Sequence, residues 1–459
     1  MKHSYSITFI LCFFYTVLNA QTVDFPDDQN FYNPKVTTTE KTIQEPDIST
    51  NNAQQLQNAI DALEKKGGGT LFIKASEKNK IYKIENEIIL KSNVHIKVAP
   101  DVVFTTSSPR KITLFSAGKQ EETPISNFSM TCSDPDRYFT FDFSKRIAGE
   151  QKGGSIAVSL GGVRNFKIAD LHVKDNFTQF SSITVNLLTI SKTEFLFAKD
   201  GIIEHLKTEN GHYGYGTVQN QAGINILYRN LNGEGGATLR LESGAIGKPH
   251  VIDRSIRLDK IYAYNIQCKN GQAAVTLSPH TINNGLVTID NVKAVSCEAG
   301  LIIASGFLSA KKGEKDKSGT ITPGYAYGYF DSNSSISNVT VVYGTQAQLR
   351  PQRRAFVPCS QRKLLAQTRN TDLESFKGPT VAGIIYFALD GKEKTKGYYT
   401  VNLPHFKMLD FPTIDGQLEN KKFVKSMKEI IKNCSYSGLA PVPKKHKKSV
   451  NKTKKKAEN

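Results

Sequence analysis

A short amphipathic stretch that ends in three consecutive glycines constrains the fold of this chain most. Between residues 53 and 63, apolar side chains recur with the i, i+3, i+4, i+7 spacing of one helical face. Gly67, Gly68 and Gly69 then end the helix. Short β runs separated by polar turns follow at 70–73, 81–84, 88–90 and 94–98. One helix that leads directly into successive strands is typical of a solenoid whose first coil is capped.

Strand patterns of the same kind recur along the chain, at 166–173, 224–231, 256–261, 287–292 and 336–339. The steps from Ile226 to Leu258 and from Leu258 to Ile289 are 32 and 31 residues. A repeat of this length fits the coils of a parallel β-helix, in which each coil buries its apolar face by stacking on its neighbours. A β-sandwich would also give many short strands, but it requires no coil-length repeat. The sequence therefore predicts an all-β fold, a right-handed parallel β-helix (solenoid) with an N-terminal capping helix.

The β-helix domain is expected to span residues 51–440, with interruptions where the strand pattern breaks down. Two such stretches lie near 306–335 and 346–396, and we interpret them as inserted loops or a small subdomain beside the solenoid. Towards the end of the domain, residues 421–432 have helical periodicity, which predicts a short helix.

The two ends of the chain differ from this domain. Residues 1–20 combine a basic start, an apolar run and Ala20, as a secretory signal peptide does, so we expect a secreted protein, extracellular or periplasmic. Residues 21–50 are polar and turn-rich, which predicts an irregular leader. Residues 441–459 are predicted to be a disordered basic tail, because 444–459 hold eight lysines against one glutamate and almost no apolar residues.

The overall composition narrows the class of partner. The chain has 60 Lys+Arg against 42 Asp+Glu, a formal net charge of +18, and 39% hydrophobic residues. It can therefore bury a core, and no stretch after the signal reaches the length and apolarity of a transmembrane helix. A basic excess in an exported protein favours polyanions such as acidic or sulfated polysaccharide, so we expect no nucleic-acid partner and no membrane partner.

Five cysteines follow the predicted signal, and their spacing indicates no metal site. Cys359 and Cys434 are a candidate disulfide pair for an oxidising compartment. We expect no required cofactor, and a structural Ca²⁺, Na⁺ or Cl⁻ ion is compatible with the sequence although no ligand set identifies one.

Segment 211–244 holds the densest cluster of unusual polar residues and glycines. Strand alternation places Arg240 and Glu242 together on an outward face. Leu239 and Leu241 then face the core. Such a pair, taken alone, is most often a surface ion pair.

Further polar residues lie about one coil away on either side. Gln219 precedes Glu242 by 23 residues and His280 follows it by 38, intervals that would stack all three on one lateral face. Such a strip is suited to protonating a glycosidic oxygen while it holds sulfate or carboxylate groups. In the inserted stretches, Tyr325 would stack on sugar rings and Arg353 would grip sulfates. An open groove beside a mobile insert is the alternative interpretation.

Two sets of motifs resemble known families. The helix and glycine-rich opening at 53–73 resembles the N-terminal cap of the pectin-lyase-like β-helix superfamily. The motif Gly235-Gly-Ala-Thr-Leu-Arg-Leu-Glu242, with 214–219 before it and 273–280 after it, resembles the iota-carrageenases of glycoside hydrolase family 82. This resemblance is best over 200–305 and implies an endo-hydrolase that cleaves the β-1,4 linkages of iota-carrageenan, a sulfated galactan, with inversion.

The same resemblance implies roles for individual residues. Glu242 would be the general acid, His280 would assist it, and Gln219 would help to hold a water or an ion. Arg240 matches an arginine that would contact sulfate or adjust the pKa of the glutamate. The iota-carrageenases carry an aspartate, proposed as the general base, two residues after the glutamate, and Gly244 occupies that position here.

Gly244 leaves the general base open. An inverting hydrolase needs a second group to activate water, typically about 6.5–9.5 Å from the acid. Three interpretations follow: another carboxylate such as Glu314 or Asp316 serves, His280 or a held water serves, or activity is weak.

Two other functions compete with hydrolysis. A polysaccharide lyase on a uronate polymer would use a Lys or Arg base with Ca²⁺, but no run of acidic residues at strand spacing supplies a Ca²⁺ cluster. A non-catalytic sulfated-glycan binding protein is the other alternative, because Gly244 replaces a catalytic group.

We expect the protein to be a monomer.

Overall fold

The structure is a computed structural model that describes residues 23–434 apart from 36, 45, 47–50, 121, 151–152, 390–395 and 432–433. The predicted signal peptide (1–20) and basic tail (441–459) lie outside the described residues. Its α-helices are α1 (Ala53–Glu64) and α2 (Gly247–Ile252). Short 3-10 turns occur at Asp28–Asn30, Ala310–Lys312, Pro351–Phe356, Cys359–Leu364, Phe387–Leu389 and Met427–Glu429.

Most of the remaining described chain forms strands. The N-terminal group comprises β1 (Glu40–Ile43), β2 (Gly69–Ile73), β3 (Ile81–Lys83), β4 (Ile88–Ile89), β5 (Val94–Val98), β6 (Val103–Thr105), β7 (Ile112–Ala117), β8 (Ile125–Cys132), β9 (Phe139–Asp142), β10 (Ser155–Leu160), β11 (Val163–Lys174), β12 (Ile183–Val185) and β13 (Leu187–Thr189). The C-terminal group comprises β14 (Phe195–Asn220), β15 (Gly223–Glu242), β16 (Leu258–Lys269), β17 (Ala273–Ser278), β18 (Val287–Val295), β19 (Leu301–Ile303), β20 (Ser335–Ile336), β21 (Val339–Val342), β22 (Ala347–Leu349), β23 (Phe376–Gly378), β24 (Ile384–Tyr386), β25 (Phe406–Leu409), β26 (Thr413–Ile414), β27 (Gln417–Leu418) and β28 (Phe423–Val424).

Three stacks of parallel strands surround one core, and we call them the first, second and third faces in the order in which the chain enters them. β2, β5 and β8 begin the first face, and β3, β6 and β9 begin the second. β4, β7, β10, β12, β17, β19, β24 and β28 belong to the third. The long strands β14 and β15 bend and contribute to all three faces. The fold is therefore a parallel β-helix, and the predicted fold class is confirmed.

Each face directs a column of apolar side chains into the interior, because successive strand residues point to opposite sides. The third-face column consists of Val158, Ile183, Val218, Leu239, Val275, Leu301 and Ile384, all buried. Stacking of such columns from coil to coil gives one continuous core. The residues between them along each strand consequently point outward.

Asparagines occupy many of the corners between faces. Asn127, Asn165 and Asn225 have φ angles of 56°, 47° and 58°, in the left-handed region that asparagine tolerates better than most side chains. The amide of Asn127 donates to the side-chain oxygen of Asn93 in the preceding coil over 2.8 Å. The corner side chains therefore both turn the backbone and link successive coils.

The leader is not irregular throughout, which corrects the prediction for 21–50. β1 pairs in parallel with β2, so it extends the sheet of the first face by one strand. Phe31 is buried against Ile202 and Leu227 on the outside of that face. Part of the leader therefore belongs to the solenoid, because it covers apolar surface and satisfies a strand edge.

The prediction of a helix at 421–432 is wrong for the described part of that segment. Residues 423–424 form β28, which pairs in parallel with β24, and only one 3-10 turn follows at 427–429. Pairing on the last described rung of the third face outweighs the helical periodicity of so short a segment.

The two predicted insertions interrupt the coils between β19 and β24, one before β20 and one after β21. Residues 306–335 contain one 3-10 turn and little regular structure before β20. The second insertion contains the antiparallel pair β22 and β23, and the candidate pair Cys359 and Cys434 forms a disulfide. It ends earlier than the predicted range 346–396, because β24 pairs with β19 on the third face. No described helix has the length and apolarity to cross a membrane.

Candidate active site

β15 carries the two charged residues that the sequence singled out. Leu239 and Leu241 are fully buried, so Arg240 and Glu242 point outward from the third face. Their side chains are nevertheless only 21% and 18% exposed. Both line a cavity of about 420 Å³ on this face, which we call the Glu242 cavity.

Two side chains hold the Glu242 carboxylate from opposite ends. The Arg240 guanidinium forms an ion pair with Oε2, and it also donates to the backbone carbonyl of Gly214. His280 Nε2 lies 3.0 Å from Oε1. Each carboxylate oxygen therefore has its own partner.

The pKa of Glu242 is lowered from its ordinary value. Burial raises this pKa, but the hydrogen bond with His280 and the positive charge of Arg240, with a smaller contribution from Lys312, outweigh burial. The carboxyl group is consequently ionised at neutral pH before any ligand binds.

His280 is held at a corner that follows β17. Its φ angle is 51°, in the left-handed region, and its carbonyl accepts hydrogen bonds from the N–H groups of Phe307 at 3.0 Å and Gly328 at 2.8 Å. The Phe307 ring lies 4.3 Å from the imidazole, measured between centroids. The first insertion therefore keeps the imidazole against Glu242.

The second insertion supplies two arginines to the cavity. Arg353 is buried, and its Nη1 lies 2.7 Å from Oε2 of the fully buried Glu298. Burial raises the pKa of Glu298, and Arg353 opposes this shift. The Arg350 N–H donates to the other Glu298 oxygen over 2.9 Å, whereas no described carboxylate pairs with the Arg350 guanidinium. Arg353 is thus neutralised by Glu298, and Arg350 is the cation left for a ligand.

No family model matches this chain. An iota-carrageenase of Alteromonas macleodii is 36% identical over 265 residues, which make up 57% of this chain and 50% of that protein. An iota-carrageenase of Zobellia galactanivorans is 27% identical over 409 residues, 78% of this chain and 79% of that protein. A solved structure of iota-carrageenase complexed to iota-carrageenan fragments has a TM-score of 0.77 and 25% identity, and covers 92% of this chain and 98% of its own.

The resemblance to the iota-carrageenases is confirmed. The alignment spans half the length of the Alteromonas iota-carrageenase but most of the Zobellia one.

Gly244 stands where the iota-carrageenase resemblance leads us to expect an aspartate, and it packs directly against His280. A Cβ atom added to Gly244 would lie 2.6 Å from both Cε1 and Nε2 of the imidazole. The Lys312 ammonium donates to the Gly244 carbonyl over 2.6 Å. A side chain at position 244 is therefore incompatible with the observed position of the His280 imidazole.

Neither carboxylate considered as a replacement base lies at the cavity. Glu314 is buried and accepts a hydrogen bond from the Ser309 N–H over 2.7 Å. Asp316 is exposed and closes a turn by accepting from the Thr320 N–H over 2.9 Å. Glu242 is the one carboxylate among the described residues that line the cavity. The described chain also contains no group of three or more His, Cys, Asp or Glu that could hold a metal ion.

Two predicted site residues do not line the cavity. Gln219 is buried and lies opposite Arg240 instead of Glu242, because the pairing of β14 with β15 is irregular between Thr208 and Gly216. Tyr325 is half-buried beside α2 and does not line the cavity.

Several cavity residues were not identified from the sequence, among them Thr276 and Gln272. Thr276 lies opposite Arg240 on β17, and its buried hydroxyl has no hydrogen-bond partner among the described residues. Gln272 precedes β17 and donates to the Tyr213 hydroxyl over 3.1 Å. Alternation along 275–278 is the signal that would have found Thr276, since Val275 and Leu277 on either side of it belong to the core. It would not have found Gln272, because Ala273 lies outside the core cluster that contains Ala274 and Val275.

Proposed function

We propose that this protein is a secreted endo-hydrolase of the β-1,4 linkages of iota-carrageenan, with Glu242 as general acid. The observation that carries the proposal is the position of Glu242, which is the one described carboxylate of a groove-like cavity and is held between Arg240 and His280. A buried carboxyl group with one hydrogen-bonding and one cationic neighbour can change its protonation state when the charge of the cationic neighbour is neutralised.

Substrate binding supplies that change. The Arg240 guanidinium lowers the pKa of Glu242 while it is paired with Oε2. A sulfate group that binds Arg240 would neutralise the guanidinium, and the pKa of the carboxyl group would then rise because burial is less strongly opposed. Oε2 can take a proton and pass it to the glycosidic oxygen, while His280 keeps Oε1 in place.

Inversion requires water to attack from the opposite side of the sugar ring. His280 lies 3.0 Å from Glu242, much closer than the 6.5–9.5 Å or so that separates acid and base in inverting glycosidases, so we assign it to orient Glu242. We propose that Thr276 and Gln272 hold the water, since both are polar and line the cavity. Neutral groups withdraw a proton weakly, and we therefore expect slow turnover.

The substrate class follows from charge and from the relatives. Arg240 and Arg350 place two cations at the cavity, and sulfate groups bind guanidinium through paired hydrogen bonds. A solved relative is complexed to iota-carrageenan fragments. We propose that the protein acts as a monomer outside the cytoplasm and needs no cofactor.

A non-catalytic sulfated-glycan binding protein is the second candidate. The observation that favours it is Gly244, because no second carboxylate is present among the described residues of the cavity.

Reducing-end release by the purified protein tests both candidates. We expect reducing ends from iota-carrageenan, none from kappa-carrageenan or pectate, and no ultraviolet absorbance from unsaturated products. Absorbance with pectate would identify a lyase instead. Retention of iota-carrageenan without reducing ends would identify the binding protein.

A further inference from the structure

A row of two aromatic rings flanked by two cations extends from the Glu242 cavity towards the N-terminal coils. The Lys111 ammonium lies 4.1 Å from the centroid of the Phe180 ring. The rings of Phe180 and Tyr215 are 5.5 Å apart, and the Arg240 guanidinium lies 5.3 Å from the Tyr215 ring. We call these four residues the cation–aromatic row. Its last member is the arginine that holds Glu242.

The row follows one corner of the solenoid. Lys111 directly precedes β7, Phe180 lies shortly before β12, and Tyr215 precedes the third-face part of β14. These three strands belong to the third face, as does the end of β15 with Arg240. The row therefore borders the face that holds the cavity, and a chain lying along the groove would meet its members in turn.

Phe180 has an unusual conformation for a bulky residue. Its φ angle is 86°, in the left-handed region that side chains larger than asparagine rarely adopt. The ring leans over Gly154, where an added Cβ would lie 2.4 Å from the ring carbon Cδ2. Gly154 belongs to the coil between those of Lys111 and Phe180. The missing side chain thus lets the ring reach Lys111.

The loop before Phe180 is fixed at several points, so this conformation is imposed on it. The buried Asp175 carboxylate accepts from the Thr178 hydroxyl at 2.9 Å and from the Thr178 N–H at 3.0 Å. The Phe177 carbonyl accepts from the Gly149 N–H at 2.9 Å, and the Phe177 N–H donates to the Asn210 carbonyl at 2.8 Å. Strain held in place by its surroundings is characteristic of ligand-contacting segments.

The two rings are not part of the hydrophobic core. Phe180 and Tyr215 are half-buried and lie outside the core clusters. Lys111 is exposed, and no described carboxylate lies within ion-pair distance of it. Its neighbour Lys119 is paired with Glu87 at 3.0 Å. The outer end of the row therefore combines an apolar ring with an uncompensated positive charge.

We propose that the cation–aromatic row is an extended subsite that binds a further segment of the sulfated galactan. Sugar rings present apolar C–H faces that pack on aromatic rings, and sulfate groups pair with the cations on either side. Lys111 is flexible enough to leave the Phe180 ring and grip a sulfate when a sugar takes its place. This inference rests on the proposed function, because it takes the same polymer as the ligand.

Binding in native gels that contain iota-carrageenan tests the subsite, with Glu242→Gln as the background in every variant so that the polymer stays intact. Lys111→Gln and Phe180→Leu are compared with Lys407→Gln, which removes an exposed lysine of β25 on the second face. We expect the apparent Kd to rise about five- to tenfold for Phe180→Leu and about threefold for Lys111→Gln. The effect of Lys111→Gln should disappear at high salt.

Kinetics in the wild-type background give the second readout. Lys111 and Phe180 do not line the Glu242 cavity, so each variant should raise KM for the polymer by a similar factor and leave kcat within about twofold. Unchanged Kd and KM for Lys111→Gln, which removes an exposed side chain and should not affect folding, would overturn the subsite. Failure of the unaltered protein to retain or cleave iota-carrageenan would instead overturn the proposed function.

Discussion

Two carboxylate–imidazole pairs occupy different parts of the solenoid and differ in how readily they take up a proton. Glu242 and His280 lie 3.0 Å apart on the third face, and Asp170 and His205 lie 2.8 Å apart where the first face turns into the second. The pKa of Glu242 is lowered, whereas the pKa of Asp170 is raised.

The surroundings explain the difference. At Asp170, burial outweighs the hydrogen bonds from His205 and the Cys132 N–H and the more distant Lys167. At Glu242, the guanidinium of Arg240 is in direct contact, and together with the hydrogen bond from His280 it outweighs burial and lowers the pKa. Asp170 borders the larger cavity, about 810 Å³ against about 420 Å³. Cavity size therefore does not distinguish the pair that we propose to be reactive, and the distinguishing feature is the cation that a substrate would neutralise.

Removing each carboxylate in turn separates the pairs most strongly. Glu242→Gln should lower kcat by about 10²–10⁴-fold with binding of iota-carrageenan retained, because it removes the proton donor. Asp170→Asn should leave kcat within about twofold and lower stability by about 1–2 kcal/mol, because a hydrogen bond is lost. Reducing-end assays and thermal unfolding measure the two effects. Equal losses of activity in the two variants would contradict the assignment.

A side chain at position 244 should break one pair and spare the other. Gly244→Asp places a Cβ 2.6 Å from the imidazole of His280, so the ring must move away from Glu242. We expect kcat to fall by about 10²-fold, the scale for an ångström displacement of a positioned group. Gly244→Ala is the matched control for steric displacement without a carboxylate. A gain in kcat for Gly244→Asp alone would mean that the aspartate supplies the missing base.

Arg240→Met should make Glu242 resemble Asp170. Loss of the guanidinium leaves burial less opposed, so the pKa of Glu242 should rise. A general acid works while it is protonated, and the alkaline limb of kcat/KM should therefore move to higher pH. KM should rise about tenfold through loss of a sulfate contact. A pH profile with an unmoved alkaline limb would show that Arg240 does not control this proton.

The pairs should also contribute to stability with opposite dependence on pH. The pKa of Asp170 is raised by folding, so its contribution is full below the unfolded pKa and is lost as pH rises through the folded value. The pKa of Glu242 is depressed, so its contribution is present above the unfolded pKa and is lost as pH falls through the folded value.

Urea unfolding at pH 4 and pH 7 measures this last effect. Between those pH values, we expect Glu242→Gln to become more destabilising and Asp170→Asn less so, each by about 1 kcal/mol. Parallel changes in the two variants would contradict the opposite pKa shifts.

The sequence predicted the coil architecture well because its signals are local. The helix that became α1 and the strand runs after Gly69 carry their periodicity within a few residues. The alternation of Leu239, Arg240, Leu241 and Glu242 is also local, and it correctly placed the charged pair outside the core.

Register between coils was harder to predict. Gln219 lies one coil before Arg240 and not before Glu242, since irregular pairing near Gly216 changes the count of residues per coil. Likewise Leu258 pairs with Gly223 and not with Ile226, although the 32-residue step suggested the latter. Coil length varies with each corner and insertion, and a spacing in sequence does not record where the extra residues are placed.

The disulfide between Cys359 and Cys434 also affects when the site is completed during synthesis. Glu242 and His280 belong to coils in the middle of the chain. Arg350 and Arg353, which also line their cavity, belong to the insertion that the disulfide links to Cys434. Because the chain is synthesised from its N-terminus, Glu242 and His280 would be brought together first. The insertion that carries the two arginines would stay unattached until Cys434 had reached an oxidising compartment. For the exported protein that we propose, maturation of the groove would be coupled to export, and chains retained in a reducing compartment should keep the solenoid while Arg350 and Arg353 are held less firmly.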